Sequence, residues 1–141
     1  MKKIIFKFSL FIAFFVSFAG QVNAQCDSIA TLCSSNFTKD FLSDGQEYRA
    51  LLFDDQTAEF HLTLYGQSTY RFAACSGLTS GNLIFRVYDE ERNEIFISSD
   101  HGNAPYWDFK VNSTLDVIIE GNLNLDEVES GCAVLLVGFK P

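Results

Sequence analysis

Apolar and polar residues alternate with a period of two through most of this chain, and that alternation limits the fold. Phe60, Leu62 and Leu64 occupy every second position of one segment, with polar residues between them. Successive side chains of a strand point to opposite faces of a sheet, so the pattern predicts strands with one buried face. Such segments recur about every eight to twelve residues, between turn residues. We therefore expect an antiparallel two-sheet β-sandwich, jelly-roll-like, of about eight strands.

The turn signals predict how these strands follow one another. Three hairpins are expected, over residues 60–74, 83–97 and 107–119. A further strand covers Tyr48–Phe53, after a turn at Ser43-Asp44-Gly45. The last strand, over residues 132–139, is almost continuously apolar, as is typical of a strand buried on both faces. Loose helical spacing between Asp27 and Phe41 predicts one short helix or turn covering an end of the sheet.

The first 24 residues have the pattern of a secretory signal peptide. Two lysines precede an apolar run over residues 4–18, and Val22-Asn23-Ala24 offers small residues for cleavage after Ala24. The mature chain, residues 25–141, is expected to be one secreted or periplasmic domain. It carries seven Lys and Arg against eighteen Asp and Glu, a net charge of -11. Such a charge disfavours nucleic acid as a partner, and no later segment is long and apolar enough for a membrane span.

Four cysteines lie in the mature part, and in an oxidising compartment an even number predicts two disulfides. Cys75 ends one predicted strand and Cys132 opens the last, so their sulfur atoms would meet if those strands are antiparallel neighbours. This pairing leaves Cys26 with Cys33, although a helix over Ser28–Cys33 would hold those two Cα atoms too far apart unless the preceding chain folds back. We expect the first pairing and leave the other two open.

Three strings of residues resemble a known family. Tyr70-Arg71-Phe72, the segment Leu83–Asp89 and Tyr106-Trp107-Asp108-Phe109 are similar in arrangement to secreted bacterial pre-peptidase C-terminal domains. The resemblance covers about residues 46–140 and implies a β-sandwich. Such modules usually accompany secreted enzymes, where they help in binding or secretion. No enzyme accompanies the module in this sequence.

The sequence contains no recognisable catalytic constellation. His61 falls on the outer face of a strand and His101 in a loop, and neither is accompanied by a nucleophile elbow or a metalloprotease helix. A glycosidase would need paired carboxylates. Glu59, Asp108, Asp116 and Glu120 qualify by position alone, and solubilising charge is the simpler interpretation. No cofactor is predicted, and the weak metal candidates are two acidic turns that would hold calcium if they met at one end of the sandwich: Asp54 and Asp55, and Asp89 and Glu91.

The strand cations suggest a binding surface. Arg49, Arg71, Arg86 and Lys110 all fall on the polar faces of strands, and if those strands share a sheet they form a basic stripe. The aromatic residues and histidine between them would be His61, Tyr65, Tyr88 and Tyr106. Arg and Tyr are frequent in binding hot spots. Cross-strand pairing with nearby acids would give the same pattern without a ligand.

Tyr106-Trp107 is the segment with the chemistry of a sugar-binding platform. Alternation groups Trp107 with Phe109 and Val111, so we expect Trp107 in the core and Tyr106 at the surface. Taken together, the sequence favours a secreted, non-catalytic binding or surface-interaction module, with an unknown protein or glycan of the envelope or extracellular space as ligand. The alternatives are an envelope structural protein that assembles through strand edges and a small glycan-active enzyme.

Overall fold

The structure is a computed structural model that describes residues 21–141, with side chains from Gln25 onward. Residues 1–20, most of the predicted signal peptide, lie outside the described residues. Cleavage after Ala24 stays a prediction. The elements are α1 (Gln21–Ser34), β1 (Leu42–Phe53), β2 (Thr57–Leu64), β3 (Ser68–Ser76), β4 (Leu83–Asp89), β5 (Glu94–Ile97), a 3-10 turn (Ser98–His101), β6 (Tyr106–Val111), β7 (Leu115–Leu123) and β8 (Ser130–Lys140).

Eight strands form two antiparallel four-stranded sheets. Sheet I has the order β1-β8-β3-β6, and sheet II has the order β2-β7-β4-β5. This pair of strand orders is that of a jelly roll, in which most consecutive strands lie in different sheets. The predicted all-β sandwich of about eight strands with a short N-terminal helix is therefore confirmed.

Two of the three predicted hairpins are wrong. β4 and β5 do pair, but β2 and β3 lie in different sheets, as do β6 and β7. The turns after β2 and β6 carry the chain from one sheet to the other. Alternation identifies a strand and its buried face, but it is the same whether the next strand pairs beside it or packs across the core from it.

The core lies between the sheets, where the predicted inward faces meet. Phe72 and Phe85 are buried almost completely, and Leu64 is 3% exposed. Aromatic pairs cover part of the two sides of the sandwich, Tyr48 with Phe60 between β1 and β2, and Phe96 with Phe109 between β5 and β6. The predicted burial of alternate residues is confirmed along these strands.

Helix α1 packs on the outer face of sheet I. Its buried residues Ile29, Ala30 and Cys33 contact Ala73, Val134 and neighbouring residues of β3 and β8. As predicted, β8 is therefore covered on both faces, by the core and by the helix. The helix covers a face rather than an end of the sheet. β1 also begins earlier than predicted, because the expected turn at Ser43–Gly45 is a bulge within the strand.

Two disulfides hold the helix, and the expected pairing is wrong. Cys26 is bonded to Cys132, and Cys33 is bonded to Cys75. β3 and β8 are antiparallel neighbours, as the expectation required, but Cys75 lies opposite Val134, two residues beyond Cys132. Cys26 and Cys33 lie two turns apart on the same helix face, so each reaches a different strand. Structural disulfides are typical of an oxidising compartment.

Candidate binding surfaces

The residues predicted to form one basic stripe lie on opposite faces of the sandwich. Sheet I carries Arg49, Arg71, Tyr106 and Lys110, and sheet II carries His61, Arg86 and Tyr88. Tyr65 follows β2 in the turn that leads to sheet I and is 66% exposed. The strands that carry the cations therefore do not all share one sheet, because Arg86 lies in sheet II. The prediction of a single basic stripe is wrong.

Arg71 is occupied by contacts within the protein. Its guanidinium makes two hydrogen bonds to the Asp108 carboxylate, at 2.6 and 2.8 Å, and a third to the carbonyl oxygen of Asn36. The rings of Phe41 and Tyr106 each lie 4.4 Å from its guanidinium carbon. With the side chain only 11% exposed, Arg71 stabilises the segment after α1 against sheet I rather than offering a binding group.

Arg49 is likewise paired. Its guanidinium contacts Asp27 of helix α1 and Glu47 of its own strand. The three side chains lie at the rim of a groove of about 730 Å³ between α1 and the bulged part of β1. Arg49 therefore links the helix to the edge strand.

The outer face of sheet II holds a network of alternating charges. Arg92, in the turn after β4, contacts both Glu59 and Glu120, and the imidazole of His61 lies 2.7 Å from Glu59. Hydrogen bonds from Arg92 and then His61 lower the pKa of the Glu59 carboxyl. Tyr88 has a raised pKa, mainly because burial disfavours its charged form. Most of these groups pair with one another, as expected if the strand charges form cross-strand ion pairs and bind no ligand.

The candidate carboxylates of a glycosidase are divided between the faces. Glu59 lies in β2 of sheet II, and Asp108 lies in β6 of sheet I. Glu59 and Glu120 are directly opposed, but Arg92 bridges them. The arrangement is that of a surface salt-bridge network.

The acidic turns proposed for calcium do not meet. Asp54 and Asp55 follow β1, beyond the pair formed by Thr57 with Asn122, whereas Asp89 lies opposite Val117. Five residues along β7 correspond to about 16 Å, so the two turns lie at different ends of sheet II. The Asp89 carboxylate accepts two hydrogen bonds from Asn93, which also lower its pKa. Within residues 21–141, no cluster of three or more His, Cys, Asp or Glu suited to a metal ion is found.

Four loops meet at the end of the sandwich where β1, β3, β5 and β7 finish, and we call this surface the loop face. It consists of residues 54–56, 77–82, 98–105 and 124–129. Their positions follow from the strand register, since Phe53 pairs with Ser130, Ser76 with Ala133 and Leu83 with Leu123. The connection before β6 is fixed to β3, because the Ala74 amide donates a hydrogen bond to the carbonyl oxygen of Pro105.

Backbone hydrogen bonds join these loops to one another. The amide of Asp54 donates to the carbonyl oxygen of Glu129 at 2.8 Å, and the amide of Asn124 donates to that of Asn82 at 2.8 Å. A Cβ added at Gly81, which has a φ of +86°, would lie 3.3 Å from the Cβ of Asn103, so the loop 77–82 also lies close to the loop 98–105. The loop face is therefore shaped by the backbone as well as by side chains.

This surface combines acidic side chains with two exposed leucines. Leu78 is 81% exposed, and Leu125 is 51% exposed. The four loops contain six carboxylates and no lysine or arginine: Asp54, Asp55, Asp100, Asp126, Glu127 and Glu129. Exposed apolar residues within a charged rim are typical of protein interaction sites. Leu78 is not among the residues that the sequence predicts for binding, although it is an isolated Leu in the Gly- and Ser-rich run 76–81.

Trp107 lies beside the loop face on the open side between β5 and β6. It points inward, opposite Phe72, as alternation predicts. Its ring stacks on Phe96 at 5.0 Å and contacts His101 at 4.3 Å. Because β6 is an edge strand, Trp107 remains 36% exposed. Trp107 therefore faces inward as predicted, but the prediction that it is buried in the core is wrong. Tyr106 is 38% exposed, which confirms its surface position.

Comparison with known proteins identifies a structural neighbour. The crystal structure of Aeromonas hydrophila PliG, described as a periplasmic lysozyme inhibitor of g-type lysozyme, matches with a TM-score of 0.52 over 74% of this chain and 91% of that chain. The two proteins share a fold. Their sequences are 15% identical, so the likeness concerns the fold alone. No protein-family model and no curated protein sequence matches this chain, and the resemblance to pre-peptidase C-terminal domains stays a prediction. No helix in residues 21–141 is long and apolar enough to cross a membrane.

Proposed function

We propose that this protein is a secreted or periplasmic binding module without a catalytic role, and that the loop face holds a cationic protein. The observation that carries the proposal is the composition of that face: six carboxylates, no lysine or arginine, and two exposed leucines. Acidic side chains would steer a basic partner into position. Leu78 and Leu125 would supply apolar contacts at the centre of the interface.

We further propose that the partner is a lysozyme-like enzyme that cleaves cell-wall glycan. The structural neighbour is described as an inhibitor of g-type lysozyme, and it has the same fold at a similar length. Leu78, whose side chain is 81% exposed, would insert into a concave surface such as an enzyme cleft. A partner of this kind would give the loop face a role on a protein in which Arg92 bridges Glu59 and Glu120 and Arg71 pairs with Asp108.

Calorimetric titration of the mature protein, residues 25–141, with a purified g-type lysozyme tests this proposal. We expect one-to-one binding with a dissociation constant of about 1 µM or tighter. Clearing of a bacterial cell-wall suspension by the lysozyme should slow in proportion to the bound fraction. Cytochrome c, a cationic protein with no glycan cleft, is the control for attraction by charge alone. Equal binding of both proteins, or no heat and no inhibition with the lysozyme, would contradict the proposal.

A further inference from the structure

Among four cavities formed by residues 25–141, one differs in charge from the other three. The groove beside α1 includes Asp27 and Glu47, and two hollows at the surface of sheet II include Asp116 and Asp126. A fourth cavity, of about 330 Å³, has no acidic residue in its lining. We call it the side pocket. Its lining is mostly apolar and includes Ile95, Phe109 and Leu115, and Lys110 is its single charged residue.

The side pocket exists because the sandwich is incompletely closed on this side. β5 has only four residues, so the edge of sheet II ends before it covers β6. The pocket lies between that short edge and the turn from β6 to β7. Ile95 remains 47% exposed and Leu115 remains 37% exposed at its rim. Apolar surface is thus left in water next to the core residues Val87 and Val117.

Lys110 differs from the four arginines in having no acidic partner among the described residues. Arg49, Arg71, Arg86 and Arg92 each lie within 4.0 Å of a carboxylate oxygen. Lys110 is exposed, and no ion pair joins it to any carboxylate of residues 25–141. Because Lys110 is also one of the residues lining the side pocket, an unpaired positive charge lies beside an apolar cavity.

We propose that the side pocket binds an anionic amphiphile: a single alkyl chain that carries a carboxylate. The chain would cover the exposed parts of Ile95 and Leu115, and the carboxylate would pair with the Lys110 ammonium group. A volume of about 330 Å³ lies within the range of small-molecule sites. The site is separate from the loop face, so its test does not depend on the proposed protein partner.

Fluorescence titration with decanoate tests the site. Trp107, the single tryptophan, stacks on Phe96, whose ring centre lies 5.3 Å from that of Phe109 in the pocket lining. We expect a saturable change in Trp107 emission with a dissociation constant below about 1 mM. Decyltrimethylammonium, with the same chain and the opposite charge, should bind at least about tenfold more weakly. Equal binding of the two amphiphiles, or no saturable change with decanoate, would overturn the proposal.

Charge-reversal variants locate the head-group contact. Lys110→Glu should reverse the preference between decanoate and decyltrimethylammonium, whereas Lys39→Glu, the same change at an exposed site before β1, should leave it unaltered. If both variants behave alike, Lys110 does not hold the carboxylate and the assignment is wrong. Leu115→Asp should abolish decanoate binding, with its melting temperature used to confirm folding. Vesicles containing phosphatidylglycerol distinguish a monomeric ligand from a membrane surface, and co-sedimentation with them would contradict a monomeric ligand.

Discussion

The backbone amide of Asn124 donates a hydrogen bond to the carbonyl oxygen of Asn82, 2.8 Å away, and so joins the loop carrying Leu125 to the loop carrying Leu78. A second bond of the same length, from Asp54 to Glu129, joins the turn after β1 to the loop before β8. Loops held in this way lose less conformational entropy when a partner binds. The apolar and acidic groups of the loop face are therefore presented in a preorganised arrangement.

Leu78→Asp should weaken binding of the g-type lysozyme by about tenfold or more, because it places a charge at the most exposed apolar position of the loop face. The free energy of unfolding should change little, since the side chain is 81% exposed. Calorimetric titration measures the first quantity and urea unfolding the second. Leu32→Asp is the matched control, because Leu32 is 49% exposed on the outer side of α1. Equal loss of affinity in both variants would contradict a role for the loop face.

Removing charge from the loop before β8 should slow association. The triple change Asp126→Asn, Glu127→Gln and Glu129→Gln should lower the association rate constant by about tenfold at low ionic strength and weaken its salt dependence. The matched control neutralises three acids at the other end of sheet II: Glu90→Gln, Glu91→Gln and Asp116→Asn. Stopped-flow measurement across a salt series compares them, and a control that slows as much would indicate attraction by net charge alone.

Each disulfide should contribute several kcal/mol to stability by restricting the unfolded chain. The bond between Cys33 and Cys75 spans 42 residues and that between Cys26 and Cys132 spans 106. A loop-entropy model gives about 4 and about 5 kcal/mol respectively. Paired Cys→Ala variants should lower the urea-unfolding free energy by up to these amounts. Peptide mapping without reduction should recover the two linkages, and recovery of a Cys75–Cys132 peptide would show that the pairing is different.

Arg71→Gln should destabilise the protein without weakening lysozyme binding. The change removes a bidentate ion pair with Asp108 and two ring contacts from a side chain that is 11% exposed, which should cost about 2–4 kcal/mol. Urea unfolding of the variant checks this figure. Arg86→Gln removes a more exposed cation on the opposite sheet and should lower the free energy of unfolding by less than about 1 kcal/mol. A large loss of lysozyme affinity in Arg71→Gln, beyond what unfolding explains, would restore the basic residues as a binding site.

The sequence predicts the fold class and the buried faces well because both depend on local alternation. Phe72 and Phe85 are buried for the reason that the pattern suggests. Which strands pair depends on contacts across the core, which is why two predicted hairpins are wrong. The predicted disulfide pairing is wrong for a related reason. Neither the strand register at Cys75 nor the position of α1 above it can be read from the sequence.

The binding surface is harder to predict than the fold. Arg71 and Tyr106 have the composition of a hot spot, yet Arg71 pairs with Asp108 on the neighbouring strand and packs on the Tyr106 ring. Leu78 and Leu125 lie in loops that are distant in sequence, and the backbone bond between Asn124 and Asn82 brings those loops together. A binding site assembled from separate loops leaves no periodic signal in the sequence.

Amide chemical-shift mapping of the ¹⁵N-labelled mature protein with the g-type lysozyme is the most direct test that the loop face holds the partner. We expect the largest perturbations within residues 54–56, 77–82, 98–105 and 124–129. The outer faces of α1 and sheet II should change little, and a Leu78→Asp sample should show weaker perturbations throughout. Perturbations centred on α1 or on the Glu59–Arg92–Glu120 network, or none at saturating lysozyme, would contradict binding of the partner at the loop face.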